Sequence, residues 1–419
     1  MRYICDFHLH SKYSRATSPQ MDLPYLDQWA RYKGIQIIGT GDFTHPLWFK
    51  ELKTKLEPLD NGLFKLKTAR DKAVYFILTA EISCIYSKNN FGRRVHLVFF
   101  MPDFASVEKF NTQLSWVGNL KADGRPMLGI DAKEILKMAL NISPDALVVP
   151  AHVWTPWYSV FGSKSGFNSL EECFDELTPK IYAIETGLSS DPAMNWRLSK
   201  LDKQAIISCS DAHSPKNLGR EATVFDFATE EISYKNIVGA LKKKDPIHLK
   251  YTIEFFPEEG KYHYDGHRLC NVVLTPEETN KRNASCPVCG KPLTIGVMNR
   301  VNKLADRPDG FRPEGAIPFK SLVPLQEIIA ETLGVDKLSK KVEEEYMKMV
   351  KQGGNEFQIL MDWSEAQLKK MTSEKIVEGI IKMREGRVSK IAGYDGVYGK
   401  ISVFGMAEQP KTNKQGLLF

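Results

Sequence analysis

The chain has 419 residues, and 42% of them are hydrophobic, which is enough for a large core and for more than one domain. A net charge of +6 permits a polyanionic partner without demanding one. The seven cysteines, an odd number with one Cys-x-x-Cys pair, argue against a disulfide scaffold, and no apolar run is long enough to span a bilayer, so no membrane association is expected.

Met1–Asp6 has no basic segment leading into an apolar one, so a secretory leader is not expected and the location read from the sequence is cytoplasmic. Over residues 1–250, short apolar runs alternate with amphipathic stretches. Strands are predicted at Ile35–Gly39, Tyr75–Thr79, Val95–Phe100, Ala146–Pro150, Ile181–Glu185 and Ala205–Ser208, with helices at Leu23–Lys33 and Ala132–Leu140. That rhythm implies an α/β fold with a parallel-stranded barrel or sheet. Cys5, Cys84 and Cys209 sit in apolar, strand-like settings and read as reduced core residues. The rhythm breaks at 251–300, where His, Cys, Tyr, Pro and Gly concentrate. It turns helical from about 320 to 386, where Ile376, Val377, Ile380 and Ile381 form one apolar face and Thr372 or Ser373 is placed to cap it.

Residues suited to metal ligation cluster at the predicted strands. Asp6, His8 and His10 alternate along an extended segment and are expected to share a face. Asp42 and His45 follow the second strand. Glu81 follows Phe76–Ala80, His96 opens another run, His152 follows Leu147–Ala151, Glu185 ends its strand, and Asp211 and His213 follow Ile206–Ser210. Any single strand-end histidine is more often a satisfied core residue. Six of the nine histidines lie beside strands before residue 214, and coincidence would have to explain each one. Imidazoles and carboxylates converging on one barrel face suit divalent cations, which activate water and clamp phosphate oxygens. Asp191, just beyond Glu185, reads equally as an acid/base and as the N-cap of a helix opening at Pro192.

Asp6-Phe7-His8-Leu9-His10-Ser11 and Ser210-Asp211-Ala212-His213 resemble the opening and closing motifs of the polymerase-and-histidinol-phosphatase (PHP) family. The resemblance implies a distorted (β/α)7 barrel with two or three divalent ions, Zn, Mn, Mg or Fe. It assigns His8, His10, Glu81 and Asp211 to one ion, and Glu81, His96 and His152 to a second, with Glu81 bridging. For a third ion, Phe43 stands where the family has a histidine, and Asp42 or His45 would substitute, together with His213.

His267-x-x-Cys270 and Cys286-x-x-Cys289 have the spacing of a structural zinc site, with His263 a rival for the fourth position. The loop Val153–Gly162 is unusually aromatic. Trp154, Trp157 and Tyr158, with Gly166, Asn168 and Ser169, could stack and read an extruded base, although the tryptophans read equally as packing residues. Tyr262–Arg268, the Cys pair and Tyr394–Lys400 are similar to the endonuclease Q family of DNA-repair enzymes. That similarity implies nicking on the 5′ side of deaminated bases and abasic sites, at the nucleoid. It also implies a division into a PHP barrel (1–250), a zinc-binding domain (251–310), a helical C-terminal domain (311–405) and a tail (406–419). Gln415–Phe419 resembles a short sliding-clamp-binding peptide, with a chance apolar terminus as the rival reading. A small-molecule phosphatase of the PHP type and a non-catalytic binding module are the competing functions.

Overall fold

A computed structural model describes residues 1–69 and 74–405; the expected clamp-binding peptide at Gln415–Phe419 lies outside them. In chain order the strands that position the site are β1 (Arg2–Asp6), β2 (Ile37–Gly39), β3 (Tyr75–Lys88), β4 (Phe91–Met101), β5 (Leu147–Pro150), β6 (Ala183–Glu185), β7 (Ala205–Ile207), β8 (Ala222–Asp226), β9 (Leu249–Glu254) and β10 (Phe319–Ser321). The helix α1 (Leu23–Lys33) joins β1 to β2. Asp22 caps it by accepting from the Tyr25 N–H, and Leu23, Leu26, Trp29 and Ala30 bury its inner face.

Strands β1, β2 and β3 run parallel, as the alternating pattern predicts. The rest of the sheet departs from that expectation. β3 and β4 form a long antiparallel hairpin, β5 pairs antiparallel to β4, and β8 and β9 extend the other edge of β1 antiparallel. The sheet is therefore mixed. A two-residue turn between β3 and β4 leaves no room for the helical crossover that a parallel pair needs. β6 and β7 make a separate parallel pair. Single backbone bonds fasten it to its neighbours, from Val153 N–H to Glu185 O on one side and from His10 N–H to Ala212 O on the other.

Both faces of these strands are buried. Ile4, Ile38, Phe76, Leu97 and Val148 join the layer under the helices, while Cys5, Ile37, Ile77, Val98 and Val149 fill the opposite side. Neighbouring residues thus enter different core clusters, the two-residue period of a strand covered on both sides.

β9 crosses the domain boundary expected at residue 250 and pairs in parallel with β10, so the sheet continues past it. Beyond lie the helices α2 (Leu325–Leu333), α3 (Lys340–Gly353) and α4 (Glu374–Arg384). Ser373, not Thr372, caps α4, which buries Ile376, Val377, Ile380 and Met383 and leaves Ile381 partly covered.

Candidate metal centre and its cavity

His8 and His10 lie just past β1, fully buried, and each turns its Nδ1 onto a carboxylate. Glu185, the last residue of β6, stands 2.9 and 3.0 Å from His8 Nδ1 and accepts the His152 backbone N–H at 2.8 Å. Asp42 stands 3.1 Å from His10 Nδ1. A carboxylate behind a histidine fixes the tautomer and aims the other ring nitrogen. Here that leaves His8 Nε2 and His10 Nε2 facing Asp211 Oδ1, at 3.8 and 3.1 Å. All three atoms are buried with no hydrogen-bond partner. Orphaned buried polar atoms are costly, and three converging on one point fit a cation.

Glu81 links this trio to a second one. It lies inside β3, and its Oε2 is 3.5 Å from His8 Nε2 and 3.4 Å from His10 Nε2. Its Oε1 is 2.7 Å from His96 Nδ1 and 3.0 Å from His152 Nε2. Glu81, His96 and His152 offer ligand atoms within 4.8 Å of one another, as do His8, His10 and Asp211. One carboxylate thus faces both groups. Glu81 and His96 sit within their strands rather than at strand ends, because the β3–β4 hairpin runs beneath the centre.

Electrostatics keep the two carboxylates of this donor set ionised. Burial would raise the Glu81 carboxyl, but His96, Arg125 and His8 hold it well below the usual range. Burial likewise opposes ionisation of Asp211, and His10 and His8 pull it down. Nitrogen and carboxylate donors in this mixture suit Zn, Mn or Fe. Two of the candidate ligands also strain the backbone: His152 has φ 30° and Asp211 φ 46°. Gly187 makes room for the first, since a Cβ there would fall 2.3 Å from His152 Cβ.

Several expected residues fall elsewhere. The Asp6 carboxylate accepts from the Ser210 and Gly219 N–H groups instead of sharing a face with His8 and His10, because β1 ends at Asp6. Asp42 accepts from Ser11 N–H, Ser11 Oγ and Ser14 Oγ through Oδ2 while its Oδ1 faces His10, which places it to support that histidine. Of the residues expected with it, His45 stacks on Tyr13, while His213 packs against His10 with its Nδ1 3.6 Å from Asp211 Oδ1; Phe43, at the position where the family has a histidine, is buried against Phe110. Asp191 caps its short helix through the Met194 N–H and does not line the cavity beside the metal groups; burial raises its carboxyl to about 6.

That cavity, about 590 Å³, is lined by His96, His152 and Asp211 together with Trp157, Tyr158 and Tyr262. Tyr158 lies 4.8 Å from the His96 ring, and Trp157 meets Tyr262 edge-on at 5.4 Å. Trp154 is not part of it. It is fully buried, packs on Phe161 and donates to Asn195 Oδ1 at 2.8 Å. Gly166, Asn168 and Ser169 are also absent from the wall. Gly166 O accepts from Arg93, Asn168 bonds Glu172 and Arg300, and Ser169 caps a helix. Position along an aperiodic loop cannot separate these outcomes.

Sequence reasoning missed Arg125, whose Nη1 is 3.0 Å from Glu81 Oε2, and the supporting part played by Glu185. Glu185 carried a signal as a strand-end carboxylate. Arg125, in a turn, carried none.

Away from this centre, His267, Cys270, Cys286 and Cys289 bring one ligand atom each within 4.8 Å, and His263 lies outside the group. Burial disfavours the Cys286 thiolate, but the Cys289 and Val288 N–H groups pull its pKa down to about 6, which suits a zinc ligand. No described helix is long and apolar enough to cross a membrane.

Residues 324–387 match the family model described as the MJ0043 C-terminal domain. The uncharacterized protein MJ0043 of Methanocaldococcus jannaschii is 33% identical over 257 residues, which cover 59% of this chain and 31% of that protein, so the match spans about a third of that relative's length. The crystal structure of the lesion-specific endonuclease PfuEndoQ from Pyrococcus furiosus has a TM-score of 0.84 and 31% identity, over 96% of this chain and 95% of that one. Endonuclease Q in complex with a 27-mer duplex substrate bearing an abasic lesion at the active site has a TM-score of 0.85 and 30% identity, over 99% of each chain. With likeness of that extent from end to end, this chain belongs to the endonuclease Q family.

Proposed function

We propose that this protein is a DNA-repair endonuclease that hydrolyses the phosphodiester on the 5′ side of uracil, hypoxanthine, xanthine or an abasic site. The observation that carries the reading is the set of orphaned atoms His8 Nε2, His10 Nε2 and Asp211 Oδ1, set against a carboxylate, Glu81, that also faces His96 and His152. In this reading His8, His10 and Asp211 would hold one divalent ion and His96 and His152 a second, with Glu81 placed to serve either group. Held there, divalent cations would supply Lewis-acid chemistry, activating water and neutralising phosphate oxygens. The chain's own residues aim the donors: Glu185 behind His8, Asp42 behind His10. Trp157, Tyr158 and Tyr262 form an aromatic wall beside the metal groups, suited to stack a base turned out of the helix. The strands around the metal groups serve as a PHP-type barrel distorted by the antiparallel β3–β4 hairpin, with the zinc-binding and helical regions appended to grip the duplex.

The test is a panel of end-labelled duplexes, each with one uracil, hypoxanthine, xanthine or abasic site, with products mapped to the nucleotide. Cleavage at the 5′ side of the lesion, abolished by EDTA and by Asp211→Ala, is expected. Intact lesion duplexes with Mn, Mg and Zn supplied, alongside rapid turnover of small phosphomonoesters, would replace the proposal with a phosphatase.

A further inference from the structure

We propose that Arg125 is a catalytic residue whose guanidinium grips a non-bridging oxygen of the scissile phosphate; this rests on the nuclease reading above. Arg125 Nη1 lies 3.0 Å from Glu81 Oε2, and its side chain, 31% exposed, opens into the cavity shared with His96, His152 and Asp211. A guanidinium has five N–H donors in a rigid fork. One is directed at Glu81, which leaves others for a ligand in the cavity.

The loop that delivers Arg125 is pinned at every residue. Asp123 Oδ1 accepts from the Arg125 and Arg15 backbone N–H groups, at 3.1 and 3.4 Å. Gly124 donates to Tyr13 O at 3.0 Å and accepts from Thr44 Oγ1 at 3.2 Å. Pro126 O accepts from the Ser83 N–H at 3.0 Å. A Cβ on Gly124 would fall 2.3 Å from both Asp42 Oδ2 and Ser14 Oγ, so the loop passes in direct contact with the carboxylate that backs His10. The guanidinium is thereby held in register with the candidate ligands.

A plain counter-ion for Glu81 would not need this placement. Glu81 already faces four imidazoles, and the one guanidinium donor directed at it leaves the rest of the fork open to an anion that enters the cavity. A phosphodiester is that anion, and its paired oxygens match the guanidinium fork. In the reaction water adds to phosphorus, the bond to the departing sugar oxygen breaks, and that oxygen takes a proton. Arg125 keeps its charge throughout and gives up no proton.

The test compares wild type, Arg125→Gln and Arg125→Lys as full-length, metal-loaded proteins. Single-turnover nicking, duplex affinity, inorganic phosphate affinity by calorimetry and metal content by mass spectrometry are read together. Arg125→Gln is expected to nick about 100-fold more slowly and to bind phosphate more weakly, with metal content and duplex affinity near wild type and partial rescue by lysine. Nicking and phosphate binding at wild-type level would overturn the assignment, as would a loss of activity that follows a loss of metal. If wild type nicks no lesion duplex, a phosphate affinity that depends on Arg125 keeps the phosphate grip and faults the DNA reading, and one that does not faults both.

Discussion

His8 and His10 are aimed by carboxylates that arrive from distant parts of the chain. Glu185 sits behind His8 and Asp42 behind His10, so each imidazole presents Nε2 to the same point. Glu185→Gln keeps the shape and removes the charge. It is expected to lower metal affinity about 10- to 100-fold in a chelator competition; unchanged affinity would mean that Glu185 does not support His8. A second buried carboxylate gives a pH signature. Burial pushes Glu254 up to about 8 from an ordinary 4.5, although Thr186 and Ser208 donate to it. The folded form therefore holds a proton that the unfolded chain releases. Stability from this group is full below about 4.5 and is lost as pH rises towards 8. Glu254→Gln, which stays neutral, should melt progressively higher than wild type as pH is raised through that window, and a pH-independent difference would contradict the shift. At this scale the sequence was informative about donors, because His, Asp and Glu beside apolar runs are chemically conspicuous. It was silent about Arg125 because only the folded loop Asp123–Pro126 brings that side chain to Glu81.

Among elements, the β3–β4 hairpin decides the geometry. Its register sets His96 opposite Ser83, two residues along from Glu81, and so brings a candidate ligand from each strand to the same place. A short apolar run reads the same whether its neighbour is parallel or antiparallel, which is why the expected all-parallel arrangement gave way to a mixed sheet. The aromatic loop after β5 divides in the same manner. Trp154 is fully buried and hydrogen-bonded to Asn195, while Trp157 stands in the cavity wall. Trp154→Ala should cost about 3–5 kcal/mol in urea unfolding. Trp157→Ala should leave stability close to wild type and erode the preference for lesion over undamaged duplex. Reversed results would exchange their roles. Nothing in Val153–Phe161 foretells this, because a loop has no periodicity to say which ring points inward.

Across the molecule, the parts are tied by buried polar links. Lys33 at the end of α1 pairs with Glu356 at 2.6 Å, and both side chains are nearly inaccessible, at 3% and 5%. Glu356 also accepts from the Leu325 N–H at the start of α2 and from Tyr346 Oη in α3. Removing one partner of such a pair strands the other charge, so Glu356→Ala should cost about 3–5 kcal/mol in denaturant unfolding; a loss below about 1 kcal/mol, the range of an exposed pair, would show the link to be unimportant. On the other side, Arg300 donates to Phe161 O and Phe167 O, and Tyr262 meets Trp157, so the cysteine-bearing region leans directly on the cavity. Changes of composition along the sequence mark where the chain leaves its strand-rich first part. The sequence could not reveal that β9 runs through the expected boundary at 250, since a strand that pairs with β10 looks like any other apolar run.

The orphaned donors around Glu81 are proposed to form one shared metal centre. Anomalous diffraction from crystals of the metal-loaded protein tests it most directly. One peak bounded by His8, His10 and Asp211 is expected, with a second bounded by His96 and His152 and Glu81 next to both. Density that leaves His8 Nε2, His10 Nε2 and Asp211 Oδ1 without an ion, in crystals whose cysteine site is filled, would contradict it.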